Sequence, residues 1–371
     1  MEVCPEMRKV AARPSGDGQG DGSASSAPKR VATIKKVAHR AGVSIATVSR
    51  TFADPASVSD QLRVRVHEAA RVLNYRASRA ARTLRIGTSQ TVGVVIPDLQ
   101  NPFFTGVVRG IDLVLQANGY TLLLSNSDED TTREHNILET LQAEGVAGVI
   151  FVPINRSRGT YSRLLAPPIH VVAVDRLPSD LDADLVTVDN VDGTRTGVAH
   201  LAALEHREVA LLNGPLRHST AIDREEGYRQ ALGAAGLPLR PELIYRGDFR
   251  ERGGYEGMKA MLALRHRPTA VFVANNLMTL GALRALHEAA VKIPDEIALV
   301  GFDDMPWATS LNPPLTAVSQ PSQEIGAAAA DLLLDRMAQP ERAVRHVILR
   351  TQLVVRASCG ASRARAQAIQ K

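Results

Sequence analysis

The sequence predicts an α/β protein with an N-terminal all-α helix-turn-helix headpiece and a core of two doubly wound parallel sheets. In residues 33–75 the apolar positions recur at helical spacing, and from Thr91 onward short β-branched runs alternate with helical stretches. This alternation occurs twice, which indicates two similar α/β units. With 371 residues, 44% of them hydrophobic, the chain is long enough for several packed units.

The headpiece is predicted from helix starts and stops. Residues 1–28 are rich in Gly, Ser, Ala and Pro and have no apolar periodicity, so we expect a flexible tail there. Gly42 ends the first helix, Ser44 caps a second helix over 45–52, and Ser59 begins a third that runs to Tyr75. A turn of about three residues around Gly42 is typical of a helix-turn-helix. The apolar positions of the first helix are Ile34, Val37, Ala38 and Ala41.

Positive charge is concentrated in this part of the chain. The net charge is +5, but residues 29–85 hold thirteen Lys or Arg and three acids, a balance of +10, so the rest of the chain carries −5. A basic segment on an acidic body indicates a polyanionic partner such as DNA, because phosphate neutralisation releases counterions. A solvated basic face is the alternative.

The core is predicted from its strands, in chain order TVGVVIPDL, YTLLLSNS, AGVIFVPI, HVVAVDR, REVALLNG, LIYRGDF, TAVFVANN and IALVGFDD. Helices are expected near 102–117, 132–144, 223–235, 252–264 and 277–290. Polar residues follow several strands: Asp98, Asp175, Arg176, Asn275, Asn276, Asp303 and Asp304. Because such sheets bind ligands beyond the carboxyl ends of their strands, we expect a cleft for a polyhydroxylated or otherwise polar small molecule. A single strand-end Asp can also be only a helix cap.

Several classes of protein are disfavoured. The sequence has neither an apolar segment long enough to cross a membrane nor the apolar segment of a secretory signal, so we expect a cytoplasmic protein. Cys4 and Cys359 are too far apart in sequence to suggest a disulfide framework or a metal cluster. We recognise no nucleotide-binding glycine motif and no nucleophile–base pair, so we expect no enzyme activity, catalytic residue, metal or cofactor.

Six motifs resemble the lac-repressor/galactose-repressor family of bacterial transcription regulators. They are TIKKVAHRAGVSIATVSRTF, VIPDLQNPFF, VDNVDGTRTGVAHL, VANNLMTLGALRAL, IALVGFDD and NPPLTAVSQP, and the resemblance extends over residues 33–356. It implies a homodimeric repressor with a core like periplasmic sugar-binding proteins and a headpiece that reads a palindromic double-stranded operator. No tetramerisation helix is expected after Arg356, because the tail lacks apolar heptads.

The resemblance also implies a division of the chain. The headpiece spans 29–75, a hinge or linker spans 76–89, the core spans 90–356 and a tail spans 357–371. Lobe one takes about 90–188 and 322–347, and lobe two takes about 189–321 and 348–356. In the hinge, Leu84 is the residue expected to wedge into the minor groove, although a plain basic linker is the alternative.

By the same resemblance, the second helix enters the major groove. Ile45 and Ala46 would face base edges, and Arg50 would donate to a guanine or a phosphate. Hydroxyl groups would contact phosphates from Thr33, Ser44, Thr47 and Ser49, although Thr33 and Ser44 could simply cap helices. Two residues depart from the family pattern: Lys36 replaces an acid that would pair with Thr33, and Ala53 replaces an asparagine.

The effector residues carried over by motif form one set: Asp98, Phe103, Phe104, Asp175, Thr220, Arg224, Phe249, Asn275, Asp303 and Gln320. Their chemistry suits a sugar or sugar derivative, because carboxylates and amides can bind hydroxyls and Phe249 could stack on a sugar ring. A nucleobase effector stays open, because Phe103 and Phe104 could flank a planar ring. A solute-binding protein without DNA binding would use the same core. The sequence does not indicate whether the effector releases the protein from DNA or promotes its binding to DNA.

Overall fold

The computed structural model describes residues 32–75, 89–154, 161, 165, 169–178 and 181–361, and the chain divides into two compact units after Gly87. The first unit contains helices α1 (Ile34–Ala41), α2 (Ile45–Ala53) and α3 (Asp60–Val72). One small apolar core joins them, made of Val37, Ala38, Ala41, Val48, Val66, Ala69 and Ala70.

The turn between α1 and α2 has the predicted length. Gly42 has φ 62° and ψ 40°, a left-handed conformation that glycine adopts without a Cβ penalty. Arg65 on α3 donates to the carbonyl of Ala41 at 2.6 Å and so holds the end of α1 against the third helix. The helix-turn-helix predicted from the sequence is therefore confirmed.

The second unit contains two six-stranded sheets. The first is built from β1 (Thr91–Ile96), β2 (Thr121–Asn126), β3 (Gly148–Phe151), β4 (His170–Val174), β5 (Asp184–Val188) and β11 (His346–Leu349). Its strand order is β11-β5-β4-β3-β1-β2, with all neighbours parallel. Strands such as β3 are buried along their whole length, as expected for a parallel sheet covered on both faces.

The second sheet repeats this plan. It is built from β6 (Val209–Asn213), β7 (Ile244–Arg246), β8 (Ala270–Val273), β9 (Ala298–Phe302), β10 (Thr316–Ser319) and β12 (Gln352–Val354). The order is β12-β10-β9-β8-β6-β7, and only β12 is antiparallel to its neighbour in this sheet. The two-lobed, doubly wound core predicted from the sequence is confirmed.

Helices cover the faces of both sheets. They are α4 (Pro102–Ala117), α5 (Thr131–Ala143), α6 (Asn190–Ala203), α7 (Ser219–Ala234), α8 (Glu251–Ala263), α9 (Asn276–Glu288) and α10 (Ser322–Ala338). α4 and α10 approach so closely that a Cβ on Gly110 would lie 2.0 Å from the carbonyl oxygen of Gln323. Within the described ranges, every helix is too short or too polar to cross a bilayer.

The chain passes between the lobes three times, after β5, after β10 and between β11 and β12. Two boundaries predicted from the sequence are wrong. Residues 348 and 349 belong to the first lobe, because Ile348 and Leu349 pair with β5. The tail does not begin at 357, because Ser358 and Cys359 are buried in the second lobe. Ser358 Oγ donates to the carbonyl of Leu299 at 2.6 Å and so satisfies a buried backbone group of β9.

A buried carboxylate connects β5 to the C-terminal end of α10. Asp184 accepts hydrogen bonds from Arg336 at 3.0 and 3.1 Å, from Arg342 at 2.7 and 2.9 Å, and from the N–H of Arg345 at 2.8 Å. Burial alone would raise the pKa of Asp184, but the hydrogen bonds from Arg342 and Arg336 outweigh it and lower the pKa.

We predict that Asp184→Asn lowers the free energy of unfolding by about 3–5 kcal/mol at neutral pH, because both arginines lose their buried charge partner. The folded pKa lies below the unfolded one, so this contribution is complete above about pH 4 and is lost as the pH falls below that value. Urea unfolding of both proteins at several pH values measures the difference. A difference that is absent, or that does not shrink in acid, would contradict the assignment.

Candidate DNA-binding face and effector cavity

The second helix of the headpiece has one buried and one exposed side. Val48 and Thr51 are fully buried, whereas Ile45, Ala46 and Arg50 are exposed. At 3.6 residues per turn the three exposed residues fall within about 140° of the helix circumference. Ala46 and Arg50, which are four residues apart, are direct neighbours on this side. Arg50 makes no ion pair within the described part of the chain. The helix therefore presents one cation and two small or apolar side chains to its surroundings.

The hydroxyl residues differ in what they do. Ser44 caps α2 by accepting from the N–H of Thr47 at 3.1 Å, and the two hydroxyls lie 2.9 Å apart. Thr33 occupies the cap position of α1 but makes no side-chain cap hydrogen bond, so its exposed hydroxyl remains open to a partner such as a phosphate. Ser49 is partly buried on α2. Leu84 and almost all of the hinge lie outside the described residues.

The effector prediction concerns a cavity between the lobes, beyond the carboxyl ends of both sheets. The empty space between its walls is about 460 Å³, including the mouth that opens to solvent. All ten residues predicted from the sequence line it: Asp98, Phe103, Phe104, Asp175, Thr220, Arg224, Phe249, Asn275, Asp303 and Gln320. Asn101, Glu129, Arg176, Asp248 and Arg250 line it as well.

Lobe one contributes a buried ion cluster. Arg176 follows β4, is 4% exposed, and donates to both carboxylate oxygens of Glu129 at 2.7 and 3.1 Å. Its Nε lies 3.5 Å from Asp175 Oδ2. Burial raises the pKa of Asp175, while the guanidiniums of Arg176 and Arg224 oppose that rise. Paired in this way, the three charged groups can remain buried at the cavity wall.

Lobe two contributes a buried guanidinium, that of Arg224. Arg224 lies in the second turn of α7, further into the helix than the sequence suggested, because α7 begins at Ser219. Its Nε donates to Asn190 Oδ1 at 2.9 Å, and the guanidinium carbon lies 3.9 Å from the centre of the Phe302 ring. Burial lowers the pKa of Arg224, and Asp303 and Asp175 oppose this shift.

Asp303 and Asn275 are positioned by hydrogen bonds at the ends of β9 and β8. Asp303 accepts from Gln320 Nε2 at 2.5 Å and from the N–H of Asn276 at 3.3 Å. Burial raises the pKa of Asp303, and Arg224 opposes that rise. Asn275 caps α9 through the N–H of Met278 at 2.9 Å and donates to the carbonyl of Phe249 at 2.8 Å. Both side chains are thus held rigidly before any ligand binds.

The aromatic residues form no slot for a flat ring between Phe103 and Phe104. Their ring centres are 5.1 Å apart with an angle of 67° between planes, so the two rings pack edge to face on each other. The pair therefore cannot hold a planar ring between its own two rings. Phe249 stands over Gly214, where an added Cβ would lie 2.2 Å from its ring.

Backbone strain concentrates at the cavity. In the described part of the chain, eight residues other than glycine have a positive φ, and five of these lie at the cleft: Asp128, Glu129, Asp175, Phe249 and Asp303. Such conformations cost about 1–3 kcal/mol each and persist where surrounding structure enforces them, often at functional sites.

The sequence signals for the additional lining residues were uneven. Arg176 follows a predicted strand, beside Asp175, and could have been included on that ground. Asp248 and Arg250 flank Phe249 in the loop after β7. Whether they line the cavity depends on the course of that loop. Asn101 was marked in the sequence only by its position before Pro102, at the start of a predicted helix.

Both units of the chain are similar to known protein families. Residues 33–78 match the model for bacterial regulatory proteins of the lacI family, and residues 198–359 match a periplasmic binding protein-like domain. The ribose operon repressor of Escherichia coli K12 is 36% identical over 313 residues, which cover 84% of this chain and 94% of that protein.

Solved structures agree with this placement. A lac repressor dimer bound to operator and the anti-inducer ONPF has a TM-score of 0.77 at 29% identity, covering 89% of this chain and 99% of the other. A LacI family regulator from Enterococcus faecium with bound ribose has a TM-score of 0.66 at 30% identity, covering 72% and 98%. With its helix-turn-helix and two-lobed core, the chain belongs to the lacI family of bacterial regulatory proteins, which bind DNA to control transcription.

Proposed function

We propose that this regulator represses transcription as a homodimer on a palindromic operator and that its effector is D-ribose or a closely similar unphosphorylated sugar. The observation that carries the effector proposal is the cavity lined by paired carboxylates, guanidiniums and amides with Phe249 beside them. Such a lining offers donors and acceptors to several hydroxyls and an aromatic face to the ring. The relatives described as a ribose operon repressor and as a ribose-bound regulator support the choice of sugar.

The charges of the cavity favour a neutral ligand. Five carboxylate side chains and three arginines line it, which gives a formal charge of −2 when all are ionised. Each arginine already has a partner: Arg176 has Glu129, Arg224 has Asn190 and the carbonyl of Ala274, and Arg250 has Asp128. A phosphate group would therefore meet net negative charge and no uncommitted guanidinium fork.

For DNA, we propose the groove assignment and the chain division expected from the sequence. Residues 29–75 form the DNA-binding domain with Ile45, Ala46 and Arg50 toward base edges, and the hydroxyls of Thr33, Ser44, Thr47 and Ser49 contact phosphates. Residues 76–89 form the hinge with Leu84 as its minor-groove wedge. The receptor core follows and extends to residue 361. A repressor of bacterial genes acts at the nucleoid, so we propose a cytoplasmic location.

Coupling between the two functions follows from closure of the cleft. A ligand that contacts both lobes favours the closed state over any more open one. It can change the affinity for the operator only to the extent that it binds one of these states more tightly than the other. We infer no catalytic role for the cavity, because its polar groups are committed to binding and to one another.

The groove assignment predicts the effect of Arg50→Ala. Because a forked guanidinium can donate twice to one guanine, the variant should lose about 1–3 kcal/mol of discrimination at one operator base pair. Selection of binding sites from random duplexes with both proteins measures this. Arg71→Ala, on an exposed position of α3, is the charge-matched control. Unchanged sequence preference in the Arg50 variant would place the reading helix elsewhere.

The effector assignment predicts a charge-selective cavity. D-ribose should bind the full chain, ribose 5-phosphate should bind at least about 100-fold more weakly, and Asp303→Asn should weaken ribose binding by about 2 kcal/mol or more because a buried carboxylate acceptor is lost. Titration calorimetry measures all three. Tighter binding of the phosphate ester than of the free sugar would contradict the assignment.

A further inference from the structure

The two lobes are joined across the cleft by direct side-chain contacts. Arg250 of lobe two donates to the carbonyl and to the carboxylate of Asp128 in lobe one, both at 2.9 Å. His218 Nε2 of lobe two lies 3.5 Å from Glu129 Oε2 of lobe one. Deeper in the cleft, the buried Asn276 donates to Asn101 Oδ1 at 2.8 Å. The lobes are therefore held together by the protein's own groups.

Two of these contacts come from adjacent residues in the loop between β2 and α5. Asp128 has φ 57° and Glu129 has φ 56°, so two consecutive residues other than glycine are left-handed. Glycine would adopt this conformation without a Cβ penalty, but it would carry no side chain to reach the other lobe. The strained loop thus places two carboxylates where lobe two can meet them.

Glu129 contacts residues of both lobes. Its carboxylate binds both ends of the Arg176 guanidinium within lobe one, and the same carboxylate lies against His218 of lobe two. Arg176 lines the cavity, whereas Asp128 does not. Closure of the cleft and the orientation of Arg176 are therefore coupled through one carboxylate.

We propose that Asp128 and Glu129 form a cleft latch. Asp128 holds the lobes together through Arg250, and Glu129 is a positioning residue that fixes Arg176 against the effector when the cleft is closed. Asp128 itself does not line the cavity, so it contributes to effector affinity by stabilising the closed lobes rather than by contacting the ligand. The effect of the latch on effector affinity rests on the sugar proposed above as the effector, whereas its effect on closure of the cleft does not.

A double-mutant cycle on the full-length protein tests the Asp128–Arg250 contact. Calorimetric titration with D-ribose compares wild type, Asp128→Ala, Arg250→Ala and the double variant. Asp128→Ala should weaken binding about 2- to 5-fold, as expected for a half-exposed ion pair, and the double variant should bind like Arg250→Ala alone. Glu139→Ala, which removes an exposed carboxylate of the same lobe, is the control and should bind like wild type. Independent, multiplicative losses in the double variant would overturn the pairing.

Glu129→Gln tests the positioning role. It keeps the shape of the side chain but removes its charge, and D-ribose affinity should fall about 30-fold or more because the buried Arg176 loses its bidentate partner. Glu129→Asp should recover part of this loss, since the charge returns. Equal affinity of wild type and Glu129→Gln would overturn the role.

Hydrogen exchange without any sugar tests closure by itself. In Asp128→Ala, backbone amides in the first turns of α4 and α9, next to the Asn101–Asn276 contact, should exchange faster than in wild type and in Glu139→Ala. Unchanged exchange there would overturn the latch. If wild type binds no D-ribose, the sugar proposal fails while this measurement still decides the latch.

Discussion

Each buried charge between the lobes needs a counter-ion, hydrogen-bond partners or an aromatic face, because an uncompensated ion in the protein interior is strongly disfavoured. This constraint accounts for the bidentate Arg176–Glu129 pair and for the placement of Arg224 against Phe302 and Asn190. It also accounts for Glu134, a buried carboxylate in the first turn of α5. Glu134 accepts from Tyr161 and from the N–H of Ile154, and burial raises its pKa to about 7.

The same constraint links the receptor to its regulation. Every guanidinium that lines the cavity already has a partner, so a ligand must bind alongside the existing pairs. Such a site suits a ligand with hydroxyl groups better than a ligand with a phosphate group. One of these pairs, Arg250–Asp128, reaches from one lobe to the other, and His218 of lobe two lies against Glu129 of lobe one. A change in the cleft would therefore alter charge pairing as well as packing. The proposed control of DNA binding requires two arrangements of the lobes that differ in their affinity for the effector.

Much of the fold was visible in the sequence. Strands β1, β3, β4, β6, β8 and β9 appear as continuous apolar runs because both sheet faces are covered there. The edge strands β2 and β7 were also recognised, although they are partly exposed. Four strands were missed: β5, β10, β11 and β12. Of these, β11 and β12 are edge strands of only four and three residues and are partly exposed. The ten effector positions were recognised from motifs, whereas Glu129 and Arg250 were not. Both belong to loops whose course depends on left-handed residues and on contacts with the opposite lobe, which no local pattern encodes.

The central claim is that ligand binding in the cleft changes the affinity of the headpiece for DNA. The direct measurement is fluorescence anisotropy of a duplex selected by this protein from random sequence, titrated with the protein in the absence and presence of saturating D-ribose. The account predicts a change in dissociation constant of at least about fivefold, the lower end of typical allosteric coupling. Identical DNA affinity in both titrations, with calorimetry showing that the sugar is bound, would contradict it.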